Sequence, residues 1–217
     1  MDELRDTYEK AIRSVQPRGP YAFLGMSLGA LIAFDLAKRF EQLGEEVAFV
    51  GSLDGAPRNS AMQTTTASTE LLALDVLKLR GVLSWKEVED LGEVYKKEGS
   101  GSIIARLIHS HRIALDSGGF TTDSFMAFMR TLDSGTQISS KYECIGKIGK
   151  LDVFQANPVA TWNITEEQWS AGMQCWTNFV EDIKFHRVPG DHMTLISPPH
   201  IVTFQAVLAK ALAYRGI

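Results

Sequence analysis

The sequence predicts an α/β fold in which a parallel β-sheet is flanked by helices. Short apolar runs alternate along the chain with longer segments whose apolar residues recur every three or four positions. Strands that alternate with helices favour a parallel sheet with both faces covered. The 217 residues, 45% hydrophobic and 22% charged, suffice for one sizeable core and are typical of a single globular domain with an insertion.

The first three elements are predicted from periodicity and from turn residues. Apolar residues at helical spacing within residues 4–15 predict an amphipathic helix that ends before Pro17. The apolar run at residues 21–24 predicts a buried strand. A second helix is expected over residues 30–40, ending near Gly44.

The pentapeptide Gly25-Met26-Ser27-Leu28-Gly29 joins that strand to that helix. A strand that ends at Gly-x-Ser-x-Gly and turns directly into a helix is typical of the nucleophile elbow of α/β-hydrolases. The tight turn predicts a strained backbone at Ser27, and side chains at both flanking glycines are expected to collide. Ser27 is therefore the predicted nucleophile. The backbone N–H of Leu28, at a helix N-terminus, is the predicted oxyanion donor.

The remaining core elements follow from the same patterns. Three further apolar runs predict strands, at residues 46–53, 150–156 and 183–188. The sequence Thr-Glu-Glu-Gln at residues 165–168 has the form of a capping box, which opens a helix through Trp169, Met173 and Trp176. Ser-Pro-Pro at residues 197–199 predicts the start of the closing helix.

Residues 59–146 depart from the alternating pattern. Helical segments rich in Leu, Met and Phe are interrupted by glycines, and the stretch is too long for a simple crossover and too apolar for disorder. We expect a helical lid here. It separates the elbow half of the core, residues 1–58, from its C-terminal half, residues 147–217, within a single domain overall.

Apolar residues of this lid are candidates to line an acyl chamber over Ser27. The candidate substrate-binding residues are Phe120, Phe125, Met126 and Met129. The alternative is that Phe125 and Met129, four positions apart, form only the packing face of a helix.

A serine hydroxyl needs a base to become an effective nucleophile at neutral pH. Of the five histidines, His192 directly follows the last predicted strand, at the same carboxyl edge of the sheet as Ser27. It is therefore the predicted base. The other four fall in the lid, in the last strand or in the closing helix: His109, His111, His186 and His200.

Three aspartates compete for the role of the acid that orients this base. Asp54 ends the strand that follows the elbow, on the correct edge of the sheet, and is the predicted acid. Asp191 is adjacent to His192 and is expected to shape the turn instead, whereas Asp152 lies at the wrong end of its strand. The position one strand later, which supplies the acid in most α/β-hydrolases, is occupied by Asn157 and a proline.

Composition excludes several other classes of function. The formal net charge of −4 gives no electrostatic basis for binding nucleic acid or an anionic membrane. Cys144 and Cys175 do not form a disulfide scaffold, and no cluster of cysteines and histidines indicates a metal site. The charged N-terminal segment contains no secretory h-region, and no apolar run reaches membrane length. We expect a cytoplasmic protein without a metal.

These motifs together resemble the thioesterase domains of nonribosomal peptide and polyketide synthases. Residues 1–57 and about 180–213 carry the resemblance. The segments that match are Gly-Pro-Tyr at 19–21, the elbow at 25–29, Phe-Asp-Leu-Ala at 34–37, Leu-Gly-Glu-Glu-Val at 43–47, Leu-Asp at 53–54 and Pro-Gly-Asp-His-Met-Thr at 189–194. The segment from Trp176 to Gln205 is most similar to the thioesterases of fungal single-module synthetases. Those thioesterases resemble enzymes that couple aryl α-keto acids.

The resemblance implies a function and a set of partners. An acyl, peptidyl or polyketide chain would leave the phosphopantetheine arm of a carrier protein through an acyl-serine intermediate at Ser27. Hydrolysis, cyclisation or coupling would then release it. In that family the acid follows the strand after the elbow, in agreement with Asp54. No cofactor is expected to bind this chain directly, because the phosphopantetheine belongs to the carrier.

The sequence departs from the family at its N-terminus. Only 26 residues precede Ser27, so the usual N-terminal strands and the loop that supplies the second oxyanion donor are expected to be absent. The exposed edge of strand 21–24 then predicts self-association or pairing with upstream sequence. Two alternative functions remain open from the residues: a free-standing carboxylesterase, and an inactive hydrolase-like module that binds a partner.

Overall fold

The computed structural model describes residues 1–57, 69–79, 81–98, 106–107, 121–159 and 164–217. Within these residues the chain divides into two compact units. The first holds the described residues up to Pro57 together with Ile138–Val159 and Ile164–Ile217. The second holds the described residues from Thr69 to Gln137.

The described strands of the first unit form one parallel sheet. They are β1 Tyr21–Met26, β2 Val47–Leu53, β3 Ile148–Asn157 and β4 Val180–Asp191, in the order β1-β2-β3-β4. The described helices of the chain are α1 Asp2–Val15, α2 Leu28–Gln42, α3 Thr69–Leu79, α4 Trp85–Glu98, α5 Thr122–Lys141, α6 Glu166–Gln174 and α7 Ile201–Tyr214. A 3₁₀ turn, Cys175–Asn178, extends α6. The predicted α/β class, a parallel sheet flanked by helices, is confirmed.

The two faces of the sheet are covered by different helices. Helix α2 packs on β1 and β2, where the ring of Phe40 meets Tyr21 and Phe23 edge-on at 4.4 and 5.4 Å between centroids. On the other face, α7 places Phe204 against Phe154 of β3, with the rings 5.8 Å apart. Burial of these apolar surfaces stabilises the fold.

Strand β1, which leads into the elbow, has one pairing partner among the described residues. It pairs with β2 in parallel register, from Tyr21 opposite Val47 to Met26 opposite Leu53. No other described strand lies beside it. Leu24 on this strand is 47% exposed.

Several element boundaries differ by a few residues from those that the sequence predicts, and two of these differences have a local cause. Strand β4 begins at Val180 instead of residue 183, because the exposed Glu181 and Asp182 interrupt the apolar pattern without interrupting the pairing with β3. Helix α7 begins at Ile201 instead of directly after residues 197–199. Consecutive prolines disfavour helical backbone at the residue before each of them, so the helix starts later.

The second unit is built from α3, α4 and most of α5, which lie between β2 and β3 in the chain. Its buried apolar residues are Ala73, Leu74, Leu77, Leu83, Val88, Leu107, Phe125 and Met129. These helices occupy part of the predicted lid region, 59–146. The start of that region lies outside the described residues. No helix in the described part of the chain is both long and apolar enough to span a membrane.

Candidate active site

Ser27 lies between the end of β1 at Met26 and the start of α2 at Leu28. Its backbone has φ 54° and ψ −120°, a conformation that is costly for a residue other than glycine. The Ser27 N–H donates to the carbonyl of Leu53 at 3.0 Å, and its own carbonyl accepts from Ala30 at 3.0 Å. The structure therefore has the strained strand-to-helix turn that the pentapeptide predicts.

The two glycines of the elbow have different steric environments. A Cβ atom on Gly25 would lie 1.9 Å from the carbonyl oxygen of Gly29, which no packing adjustment can accommodate. A Cβ atom on Gly29 would meet nothing within 4 Å. The expectation that a collision requires both glycines is therefore wrong for Gly29. The crowding affects the strand side of the turn, at Gly25, whereas the Gly29 position on the helix side is open.

Asp54 follows β2 directly and is buried, with 1% of its surface exposed. Its Oδ2 lies 3.0 Å from Nδ1 of His192. Its Oδ1 accepts from the backbone N–H of Ala156 at 2.8 Å and from the indole N–H of Trp169 at 3.2 Å. Both carboxylate oxygens therefore have hydrogen-bond partners, which offsets the cost of burying an acidic group.

The residue after this acid packs against the elbow. Gly55 has no side chain, and a Cβ atom there would lie 2.5 Å from the carbonyl oxygen of Ser27 and 2.6 Å from Cβ of Ala30. The Asp54–Gly55 segment thus touches the backbone that carries Ser27. The parallel pairing of β1 with β2 places the carboxyl ends of both strands at one edge of the sheet.

His192 directly follows the last residue of β4 and is held by a hydrogen-bonded turn. The carboxylate oxygen Oδ1 of Asp191 accepts from the backbone N–H groups of Met193 and Thr194 and from the Thr194 hydroxyl, at 3.0, 3.0 and 2.8 Å. Gly190 has φ 83°, and a Cβ atom there would lie 2.8 Å from the His200 ring. Asp191 therefore shapes the turn, while Asp54 reaches the imidazole.

Trp169 contacts both Asp54 and His192, although the sequence indicates no functional role for it. Besides its hydrogen bond to Asp54, its ring lies edge-to-face with the His192 imidazole, 6.1 Å between centroids and 88° between planes. Trp169, Met173 and Trp176 are all buried, as their spacing on one helical face predicts. That spacing signals burial but does not indicate what the indole N–H contacts.

Asp152 and His186, which the sequence does not assign to the site, form a hydrogen-bonded pair elsewhere in the sheet. Asp152 in β3 has Oδ1 2.6 Å from Nε2 of His186 in β4, and its Oδ2 accepts from Nε of Arg215 at 2.7 Å. Asp152 lies inside its strand and does not reach the edge that carries Ser27. This pair joins β3, β4 and the end of α7.

The predicted substrate-lining residues lie in the second unit where they are described. Phe125 and Met129 are buried in the apolar cluster of that unit, and Met126 packs against it while partly exposed. This is the environment that the packing alternative predicts for Phe125 and Met129. Phe120, His109 and His111 lie outside the described residues.

No group of three or more metal-ligating side chains occurs among the residues that the structure describes. The geometry at the sheet edge instead combines a strained serine with a buried histidine–carboxylate pair. Such an arrangement is suited to nucleophilic acyl transfer.

The family model described as "Thioesterase domain" matches residues 1–208. The chain belongs to the thioesterase domain family. This thioesterase domain is 28% identical over 226 residues to the nonribosomal peptide synthetase atqA of Aspergillus terreus, with all of this chain and 23% of that protein covered. It is 29% identical over 222 residues to the inactive atromentin synthetase invA4 of Paxillus involutus, with all of this chain and 22% of that protein covered. The chain thus spans less than a quarter of the length of these curated relatives.

Solved structures share the fold of this thioesterase domain. The Vlm2 thioesterase domain bound with a dodecadepsipeptide has a TM-score of 0.64 at 19% identity, over 97% of this chain and 75% of that chain. A four-domain nonribosomal peptide synthetase, holo-AB3403 bound to AMP and glycine, has a TM-score of 0.69 at 15% identity, over 96% of this chain and 16% of that chain. The resemblance that the sequence motifs indicate is confirmed at the level of family and fold.

Proposed function

We propose that this thioesterase domain releases an acyl, peptidyl or polyketide chain from the phosphopantetheine arm of a carrier domain through an acyl-enzyme on Ser27. The observation that carries the proposal is the hydrogen bond between buried Asp54 and His192 at the sheet edge where the elbow holds Ser27. Membership of the thioesterase family and the fungal synthetase relatives support the choice of a carrier-bound thioester.

In the first half of the reaction, Oγ of Ser27 attacks the thioester carbonyl while Nε2 of His192 takes the hydroxyl proton. The carbonyl oxygen becomes an oxyanion, and the N–H of Leu28 donates to it from the N-terminus of α2. When the C–S bond breaks, the imidazolium returns its proton to the departing phosphopantetheine thiolate. The chain is then an ester of Ser27.

In the second half, an acceptor nucleophile attacks the acyl-serine carbonyl. His192 takes the proton of that nucleophile and returns it to Oγ of Ser27 as the ester bond breaks. Water gives hydrolysis, a nucleophile within the chain gives cyclisation, and a second acyl unit gives coupling. The enzyme returns to its starting state in each case.

Asp54 supports both halves. Its negative charge, 3.0 Å from Nδ1, favours the tautomer in which Nδ1 carries the proton and Nε2 is free to accept one. It also stabilises the imidazolium that forms when Ser27 is deprotonated. The N–H groups of Ala156 and Trp169 hold that carboxylate in place.

Partners and setting follow from the same proposal. The carrier domain supplies the phosphopantetheine, so this chain needs to hold only the acyl group and the end of the arm. The helical unit between β2 and β3 would select the acyl group as a lid. The edge of β1, which has no partner strand in the described part of the chain, would pair with a second copy of this chain in solution. A cytoplasmic location would provide the carrier and its reducing surroundings.

Labelling with a fluorophosphonate tests the nucleophile. We expect rapid modification of Ser27 in the wild type and none at that position in Ser27→Ala. Ser14→Ala, which removes an exposed hydroxyl from α1, serves as the matched control and should label normally. A folded wild-type chain that is not modified would contradict the proposal and favour an inactive module. The relative invA4 is itself named an inactive synthetase.

Comparison of two esters of one acyl chain separates the thioesterase from a general carboxylesterase. An acyl pantetheine thioester and the matching ethyl oxygen ester would be supplied under the same conditions. The proposal predicts a higher kcat/KM for the thioester. Preference for the oxygen ester would assign a carboxylesterase activity to the same serine.

A further inference from the structure

We infer that Trp169 is a positioning residue, which fixes the carboxylate of Asp54 toward His192. The inference rests on the proposed roles of that acid and base. It follows from two independent contacts of one buried side chain, a hydrogen bond to Asp54 and a ring contact with His192.

The hydrogen bonds of Asp54 are divided between its two oxygens. Oδ2 faces the imidazole at 3.0 Å, while Oδ1 accepts from Ala156 and Trp169 at 2.8 and 3.2 Å. A carboxylate turns freely about its Cβ–Cγ bond unless its oxygens are held. Two donors on Oδ1 define the plane of the group and direct Oδ2 at Nδ1, so removal of one donor loosens that orientation.

The ring of Trp169 also contacts the base. It meets the His192 imidazole at 88°, with 6.1 Å between centroids, and Trp169 is 4% exposed. An edge-to-face contact of this kind restricts rotation of the imidazole. A single indole thus constrains both partners of the hydrogen bond on which base catalysis depends.

Helix α6 itself is fixed at its start, so the indole has a defined position. The Thr165 side chain accepts from the backbone of Gln168, whose side chain accepts from the backbone of Thr165, at 3.2 and 3.0 Å. This reciprocal cap holds the first turn, from which Trp169 projects.

Trp176 provides an internal comparison within the same structure. Seven positions after Trp169, it donates its indole N–H to the carbonyl of Gly55 at 2.7 Å. It is also fully buried, but it holds the backbone next to Asp54 and not the carboxylate. Trp169→Phe and Trp176→Phe therefore each remove one buried indole donor, and only the first removes a donor to the acid.

The experiment compares these two variants by proton NMR of the His192 Nδ1–H, assigned with His192→Gln, and by the rate of fluorophosphonate labelling. In Trp169→Phe we expect the Nδ1–H to exchange with solvent about tenfold faster and labelling to slow by about tenfold, the scale of one charge-assisted hydrogen bond. In Trp176→Phe we expect a lower melting temperature. The exchange rate of the Nδ1–H and the rate of labelling should both equal those of the wild type.

Two results would overturn the inference. One is an unchanged exchange rate of the His192 Nδ1–H in folded Trp169→Phe, and the other is an equal increase of that rate in both variants. If Trp169→Phe does not fold, Trp169→β-(3-benzothienyl)alanine keeps the ring size and removes only the N–H. Failure of the proposed function has a different signature. The wild type would then not be labelled, while its Nδ1–H would still respond to Trp169→Phe as expected.

Discussion

Asp54 and His192, 138 positions apart in the chain, meet through a 3.0 Å contact between Oδ2 and Nδ1. The parallel sheet creates this contact, since β2 and β4 end at the same edge. The backbone at Asp54 has φ 50°, outside the region that most residues prefer, and the segment is held by a hydrogen bond from its N–H to Phe154 at 2.8 Å. Both features indicate a constrained position for the acid.

Asp54→Asn is expected to lower kcat/KM for an acyl thioester by about a thousandfold or more, because an amide favours the wrong imidazole tautomer. Steady-state kinetics on the purified chain provide the measurement. Asp152→Asn is the matched control, since Asp152 also contacts a histidine in the same sheet but away from the elbow. It should lower the melting temperature while leaving labelling of Ser27 rapid. Near-normal turnover in Asp54→Asn would show that the acid assignment is wrong.

The two elbow glycines should respond oppositely to a methyl group. Gly29→Ala is expected to raise the free energy of unfolding by up to about 1 kcal/mol, because the position is open and alanine favours a helix. Gly25→Ala should lower it by about 3 kcal/mol or more, because the new Cβ collides with the Gly29 carbonyl. Urea denaturation of both variants checks this. Equal destabilisation would contradict the open environment of Gly29.

Much of the fold and of the candidate site could be predicted from sequence because both depend on local pattern. Ser27, Asp54 and His192 each follow an apolar run, and the carboxyl ends of parallel strands share one edge. The environment of Gly29 could not be predicted, since it depends on the direction in which one helical turn faces. The contact of Trp169 with Asp54 joins residues 115 positions apart, and helical spacing reports burial without identifying the partner.

The helical unit should influence product choice through residues outside its core. Met126→Ala is expected to change the preference among acyl chains, or the ratio of hydrolysis to coupling, with little effect on labelling by a small fluorophosphonate. Phe125→Ala is the comparison, since Phe125 is fully buried and its loss should cost about 3–5 kcal/mol of stability. Product analysis and melting curves distinguish the two effects. Equal losses on all substrates with a lower melting temperature in Met126→Ala would favour simple packing.

The edge of β1 that has no partner strand among the described residues should make the chain associate. Size-exclusion chromatography with light scattering is expected to show species larger than the monomer. Leu24→Lys should shift them toward the monomer, because a charge on an edge strand opposes pairing. Val15→Lys, which changes an apolar residue of α1 that is 86% exposed, should leave association unchanged. A monodisperse wild-type monomer would contradict the proposed pairing.

The thiol of Cys144 should be unreactive at neutral pH. Burial raises the pKa of Cys144 to about 12, with nearby Asp35 acting in the same direction and Lys38 opposing it. In Cys175→Ala, alkylation by iodoacetamide at pH 8 is expected to be at least about a hundredfold slower than that of glutathione, because the thiolate is the reactive form. The rate should rise steadily from pH 7 to beyond pH 10. A plateau near pH 9 would show that the thiol is not desolvated.

Formation of an acyl-enzyme from a thioester is the step on which the proposed function depends most directly. The wild-type chain would be mixed with an acyl pantetheine thioester, quenched in acid and digested for mass spectrometry. We predict an acyl adduct on the peptide that contains Ser27, with release of one thiol per adduct. The adduct should be absent in Ser27→Ala and should form far more slowly in His192→Gln. Thiol release without an adduct at Ser27, or an adduct that forms equally fast in His192→Gln, would contradict the proposed mechanism.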